Sequence, residues 1–251
     1  PKMNRPIRLH IINGNTYAAM TANIDAQARA VARPTTEIRT TQPAAGPHTI
    51  ESYYDEYLAI PHILAEIIQQ EAESDAVILA CWGDPGIEAA REITRKPVVG
   101  IAEASLYVAN NLGAKFGVVS TLKRTQHMVE KTIEKVGLTS RCALALCTDL
   151  PVAATEEDRD HTIDVLEAGS RQAIAAGAEV IVLGCAGMSG LDQQLAARIG
   201  LPVVDAVAAA VVWAEALVQL GLSTSKAMTY RLPEAKTILG YPDFMQPTNL
   251  R

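Results

Sequence analysis

Two cysteines occupy matching places in two copies of one sequence pattern. The stretch DAVILACWGDPG, followed by KPVVGIAEA, is echoed by AEVIVLGCAGMSG, followed by LPVVDAVAA. Cys81 and Cys185 each end an apolar run of β character and precede small or Gly-rich residues that open a helix. A chain that builds the same half twice, and ends the same strand of each half in a thiol, can set two sulfurs face to face across one cleft. A thiolate on one face of a substrate carbon and a thiol on the other can remove and return a proton with inversion. At a helix N-terminus, unpaired backbone N–H groups and the macrodipole favour the thiolate, and both cysteines are expected at such turns. The obstacle is the weak acidity of a C–H beside a carbonyl, because the carbanion must be held as an enolate by positioned donors. The backbone N–H groups of Gly83, Asp84, Ala186 and Gly187, with the hydroxyls of Ser120 and Thr121, are the candidates.

The elements that must position these groups read as alternating strands and helices, the pattern of βαβ units and parallel sheets. Strands are expected at 7–12, 36–41, 76–80 and 97–101 in the first half, and at 115–120, 141–146, 179–184 and 202–205 in the second. Helices are expected at Ala18 to Val31, Tyr57 to Gln70, Gly86 to Ile93, Thr125 to Val136, Asp160 to Ala176, Leu191 to Ile199 and Ala206 to Leu220. The fold class is therefore α/β, with two pseudosymmetric lobes, each a four-stranded parallel sheet flanked by helices, and the active site in the cleft between them. Residues 1–113 form the first lobe, 114–222 the second, and 223–251 a polar tail that packs back on the first lobe or seals an oligomer contact. In parallel sheets ligands bind beyond the carboxyl ends of the strands, where strand order switches. That rule brings the loop Asn13-Gly14-Asn15-Thr16 and the loop from Ser120 to Thr125 to the same cleft as the two cysteines. The segment 43–57, with two Pro, a Gly and three Tyr, reads as a lid or cleft edge.

Composition narrows the function. Hydrophobic residues make up 49% of the 251 and charged residues 20%, which is globular. Aromatics are 4%, too few for a base-stacking or sugar-binding surface, and the net charge of −6 with scattered basic residues argues against nucleic acid. The apolar run from Ala206 to Ala214 is far shorter than the ~20 residues of a membrane helix, and the run after Lys2 and Arg5 is too short for a signal peptide. A cytoplasmic protein is expected. Cys81, Cys142, Cys147 and Cys185 form no C-x-x-C pair and have no His at zinc-finger spacing, so neither metal nor disulfide is expected. No dinucleotide fingerprint, P-loop, H-E-x-x-H or G-x-S-x-G is present, which favours chemistry without a cofactor.

Other residues have plainer readings beside the functional ones. Asn13 and Asn15 either cap the following helix or touch substrate, and Asp84 either caps its helix or takes part in the site. Trp82, directly after the first thiol, is expected to line the pocket. Cys142 and Cys147 are read as core or surface thiols. His10 is read as a satisfied core or interface residue, His48 as a loop residue that is exposed or reaches the cleft, with exposure the commoner case, and His62, His127 and His161 as surface or packing groups. Glu156-Glu157-Asp158 looks like a solvated helix start.

The motifs INGNT (12–16), IESYYDE (50–56), ACWGDPG (80–86), PVVGIAEA (97–104), VVSTLKRT (118–125), VLGCAGM (182–188) and PVVDAVAAAV (202–211) make the resemblance specific. The chain resembles the aspartate/glutamate racemase superfamily, and within it the hydantoin racemase and allantoin racemase branch, nearly end to end, to about Lys226. The resemblance implies two α/β lobes and cofactor-free racemisation of 5-substituted hydantoins, or of allantoin, by a cysteine pair. By motif that pair is Cys81 and Cys185. Retention of both points to racemisation rather than to the decarboxylases and isomerases elsewhere in the superfamily. Substrate contacts are expected from Asn13, Asn15, Trp82, Gly83, Ser120, Thr121, Ala186 and Gly187, the partner is a small cyclic ureide, and association suggests a homo-oligomer. The family usually has Pro where Gly14 stands and Phe where Trp82 stands, which bears on substrate preference. Two rivals from other classes are a two-lobed binding protein with idle thiols and a thiol redox protein, which needs its sulfurs near disulfide distance.

Overall fold

The computed structural model describes residues 5–250, so Lys2 and Arg251 lie outside it. Its strands are β1 (Arg8–Ile12), β2 (Glu37–Thr41), β3 (Ala76–Leu79), β4 (Val98–Gly100), β5 (Phe116–Leu122), β6 (Cys142–Thr148), β7 (Val180–Leu183) and β8 (Val203–Val204). The helices are α1 (Ala18–Val31), α2 (Tyr53–Gln70), α3 (Ile87–Ile93), α4 (Ile101–Asn110), α5 (Gln126–Lys135), α6 (Ala154–Glu157), α7 (Arg159–Ala175), α8 (Asp192–Ile199) and α9 (Ala206–Gln219).

The strands form two four-stranded parallel sheets, ordered β2-β1-β3-β4 and β6-β5-β7-β8. Both faces of each sheet are covered, which is why strands such as AVIL and VIVL are apolar throughout instead of alternating. On the first sheet, Leu9, Ile11 and Ile78 pack toward α1 and α9, while Ile12, Val77 and Leu79 pack toward α2 and α3. On the second, Phe116, Val118 and Val182 face α4 and α5, while Val119, Ile181 and Leu183 face α7 and α8.

The two halves exchange a helix. α4 follows the first sheet, yet its Leu106 and Ala109 lie in the core of the second with Phe116 and Val180. α9 follows the second sheet, yet Val207, Ala210, Val211 and Ala214 are fully buried against β1, β3 and α1 of the first. α4 and α9 also pack side by side. Glu215 of α9, 2% exposed, fastens the exchange: its carboxylate accepts the Arg33 N–H (2.9 Å) and the Thr36 hydroxyl (2.5 Å) of the first half. The segments 1–113 and 114–222 thus each carry one sheet, but neither covers its own sheet alone.

Three local expectations change. Residues 101–110, where a helix is signalled only by its Leu112-Gly113 end and given no bounds, are helical, and their N-terminus is capped by Asp84 from the Cys81 turn. Segment 43–57 is loop only to Ser52, whose hydroxyl accepts from the Asp55 N–H and starts α2 four residues early. Glu156 is not solvated: its side chain is 10% exposed and accepts the amide of Asn23, on α1, at 3.0 Å. The tail runs along the first half, where Thr224 bonds the Arg95 and Lys96 backbone and Lys226 donates to the Arg91 and Glu92 carbonyls.

Candidate active site

Cys81 and Cys185 line one cavity of about 200 Å³ at the carboxyl ends of the central strands. Strand order switches there, β1 and β3 running side by side in one sheet and β5 and β7 in the other. Asn15, Trp82, Gly83, Ser120, Thr121, Gly184 and Ala186 complete the strand-end wall. A helical wall comes from α2 (Tyr53, Glu56) and α5, whose Met128, Lys131, Thr132 and Lys135 recur at helical spacing. Met20, Ile50 and Val152 close the apolar side.

The two thiols sit in different turns. After Cys81 the chain turns through Gly83 at φ 113° and Asp84 at φ 53°, the Asp84 N–H closing on the Cys81 carbonyl at 3.0 Å. The helix begins only at Ile87, so Cys81 is not at its N-terminus. Cys185 stands at the head of the short 3-10 turn Ala186–Met188, whose Met188 N–H closes on the Cys185 carbonyl at 3.1 Å. The expectation that both turns favour thiolate fails on burial. Burial pushes the Cys81 thiol well above its ordinary value, with Cys185, Glu56 and Asp84 adding to the rise, and burial pushes Cys185 up to about 11 against the lowering influence of the nearby Gly187 and Met188 backbone.

The expected enolate donors separate into free and committed groups. Among the described residues, the N–H groups of Trp82 and Gly83 beside one thiol, and of Ala186 beside the other, have no protein acceptor, and the Thr121 hydroxyl likewise has no partner. Asp84 N–H is spent in its turn, and Ser120 donates its hydroxyl to the Gly184 carbonyl at 2.7 Å. Gly187 lies behind the cavity, where a Cβ would stand 2.1 Å from the Thr155 hydroxyl.

Asn13 is buried and is not among the cavity residues. Its amide donates to Asn15 (2.8 Å) and Thr21 (2.9 Å), while the Asn15 oxygen accepts the Tyr17 N–H at the start of α1 (2.9 Å). Asn13 thus braces Asn15, which both caps and faces the cavity. A Cβ at Gly14 would lie 3.2 and 3.3 Å from Ile63 and Ile50 and touch the Cys81 Cβ at 3.4 Å, so a larger residue there would crowd the two isoleucines beside the first cysteine. The Trp82 indole N–H reaches Ser105 of α4 at 3.3 Å, which pins the ring between the two halves.

Asp84 is fully buried and accepts the Ala102 and Glu103 N–H groups (2.9 and 2.8 Å). Burial and neighbouring Glu103 push its carboxyl up to about 7 despite those bonds. Cys142 and Cys147 lie outside the cavity. His10 is only half satisfied: Nε2 meets Thr41 at 2.8 Å, Nδ1 has no partner among the described residues, and burial lowers its pKa to about 4. His48 packs at a tilt against the Tyr17 ring, and His127 Nδ1 meets the Tyr53 hydroxyl at 2.9 Å, joining α5 to α2 beside the cavity. Sequence reasoning missed the helical wall, although the Ser52-x-x-Asp55 cap and the spacing 128, 131, 132, 135 signal both faces.

Two parallel α/β sheets thus bring one thiol each to a common cavity. Residues 9–214 match the model of the Asp/Glu/Hydantoin racemase family, and the chain belongs to it. On that kinship the protein is a racemase. It is 44% identical over 236 residues to the hydantoin racemase of Pseudomonas sp. (strain NS671), covering 93% of this chain and 95% of that one. It is 39% identical to the hydantoin racemase of Paenarthrobacter aurescens, covering 93% and 100%. The solved allantoin racemase from Klebsiella pneumoniae superposes with a TM-score of 0.90 at 41% identity, covering 93% of this chain and 96% of that one.

Proposed function

We propose that this chain is a cofactor-independent racemase of 5-monosubstituted hydantoins, with Cys81 and Cys185 exchanging the C5 proton. The observation that carries the reading is that both thiols line one substrate-sized cavity, each beside unpaired backbone N–H groups. One sulfur, as thiolate, takes the proton from C5. The C–H electron pair moves into the neighbouring carbonyl, whose oxygen is held by the Trp82, Gly83 or Ala186 N–H groups. The other thiol gives its proton to the opposite face of C5 and is left as thiolate. Solvent exchange resets the pair for the next turnover. Allantoin is a hydantoin with a ureido group at C5, so the same chemistry applies to it.

The test is decay of optical activity of pure 5-benzylhydantoin, 5-isobutylhydantoin and allantoin, with proton NMR of C5 in heavy water. Cys81→Ser and Cys185→Ser should each lower racemisation by about 10²- to 10⁴-fold. Each should keep deuterium exchange from one enantiomer only, and the two should differ in which. Single variants that racemise at the full rate would refute the scheme.

A further inference from the structure

The strand-end wall accounts for the reacting carbon and its carbonyl, but the helical wall carries a group with no assigned purpose. Glu56 lines the cavity from the first turns of α2. No described residue gives its carboxylate a hydrogen bond or an ion pair: Lys135, whose field reaches it, has its ammonium on Glu88. Lys131, on the same wall, is likewise without an ion-pair partner among the described residues, and the Thr132 hydroxyl is spent on the Met128 carbonyl at 2.9 Å. Desolvation raises the Glu56 carboxyl above the usual carboxylate range, as befits a polar group short of partners.

With C5 between the two sulfurs and its carbonyl on the strand-end amides, the lining left for the substituent on C5 is the apolar side and the helical wall, and of these only the helical wall offers charged groups. We infer that Glu56 is a specificity-determining residue whose carboxylate receives N–H groups of that substituent. The site then takes hydantoins bearing a ureido or other N–H-donating group ahead of those bearing a purely apolar one. A ureido group offers N–H donors to Glu56 and a carbonyl to Lys131, matching the acceptor and the donor on this wall. A hydrocarbon substituent would cover the carboxylate and leave it unpaired, which is the strongest way a pocket rejects an analogue. Since Glu56 is only half-buried, the expected preference is about 10- to 100-fold, well short of the roughly 10⁴-fold of sealed sites.

The inference rests on the hydantoin racemase reading, and the experiment separates the two. Specificity constants are measured for allantoin and 5-isobutylhydantoin with wild type, Glu56→Gln and Glu56→Leu, with deuterium entry at C5 followed alongside. Wild type should favour allantoin. Glu56→Leu should lower kcat/KM for allantoin about tenfold or more while raising it for isobutylhydantoin, and Glu56→Gln, which keeps one acceptor oxygen, should fall between. If both substrates lose the same factor, or wild type favours isobutylhydantoin, the role of Glu56 is overturned and the racemase reading stands. If wild type exchanges no hydantoin at C5, both fall. Glu56→Gln, nearly isosteric, keeps the test valid should the Leu variant fail to fold.

Discussion

Asp84 occupies the space in front of Gly100: a Cβ built on that glycine would lie 2.1 Å from the Asp84 carboxyl carbon. The carboxylate sits there because it caps α4, accepting two of its first N–H groups. In the second half the equivalent helix, α9, is capped by its own Asp205, which accepts the Val207 and Ala208 N–H groups and reaches back to Ser189 and Gly190 after the Cys185 turn. Both halves thus tie the turn after the thiol to the next helix through one carboxylate. They carry that carboxylate at opposite ends of the tie.

This swap predicts a rescue. Gly100→Ala should cost about 1–3 kcal/mol by displacing a buried acceptor from two N–H groups, and Asp84→Gly a similar amount. The double change Asp84→Gly with Gly100→Asp rebuilds the Asp205 arrangement, and glycine suits the positive φ at position 84. Denaturant melts should show the double variant more stable than either Asp84→Gly or Gly100→Asp alone. Simple additivity would mean the two positions do not share one cap.

Burial of both thiols sets the pH dependence. The reaction needs one thiolate, and the folded protein holds both thiols above their ordinary values. The thiolate fraction, and kcat/KM with it, should therefore climb about tenfold per pH unit across the neutral range and still rise past pH 9. Initial racemisation rates over that range check this. A plateau near pH 7 would indicate that one sulfur is ionised before substrate arrives.

Removing the Glu215 carboxylate should loosen the exchanged helix. Glu215→Leu leaves the Arg33 N–H and Thr36 hydroxyl without their acceptor, a loss of about 1–3 kcal/mol. Glu215→Gln, which keeps one acceptor oxygen, should lose less. Chemical denaturation at fixed pH distinguishes the two, and equal losses would show that charge rather than the hydrogen bonds matters.

Much of this architecture is legible in the sequence because buried parallel strands are apolar runs, and the runs ending at Ala80 and Gly184 are near copies. That duplication also brings Cys81 and Cys185 to one cavity, since strand-end loops of both sheets meet at the switch in strand order. The start of α4 was not legible, because Gly100 there has no side chain to cap it and the cap arrives from Asp84. The helix exchange was hidden too: a helix as uniformly apolar as α9 announces burial without saying against which sheet. The helical wall, Glu56 and Lys131 among it, depends on how the halves face each other, which no local pattern encodes. The thiol acidities were misjudged because proximity to a helix start was read without the desolvation that outweighs it.

The two sulfurs have unequal surroundings, one followed by a left-handed Gly-Asp turn and the other by a short 3-10 turn. Yet enantiomers have identical free energies in water, so the overall equilibrium constant of a racemisation is unity. The Haldane relation then forces kcat/KM to be the same from either hand, however lopsided the catalyst. The inequality of the turns can surface only as a compensating split, one enantiomer binding more tightly and reacting proportionately more slowly when bound.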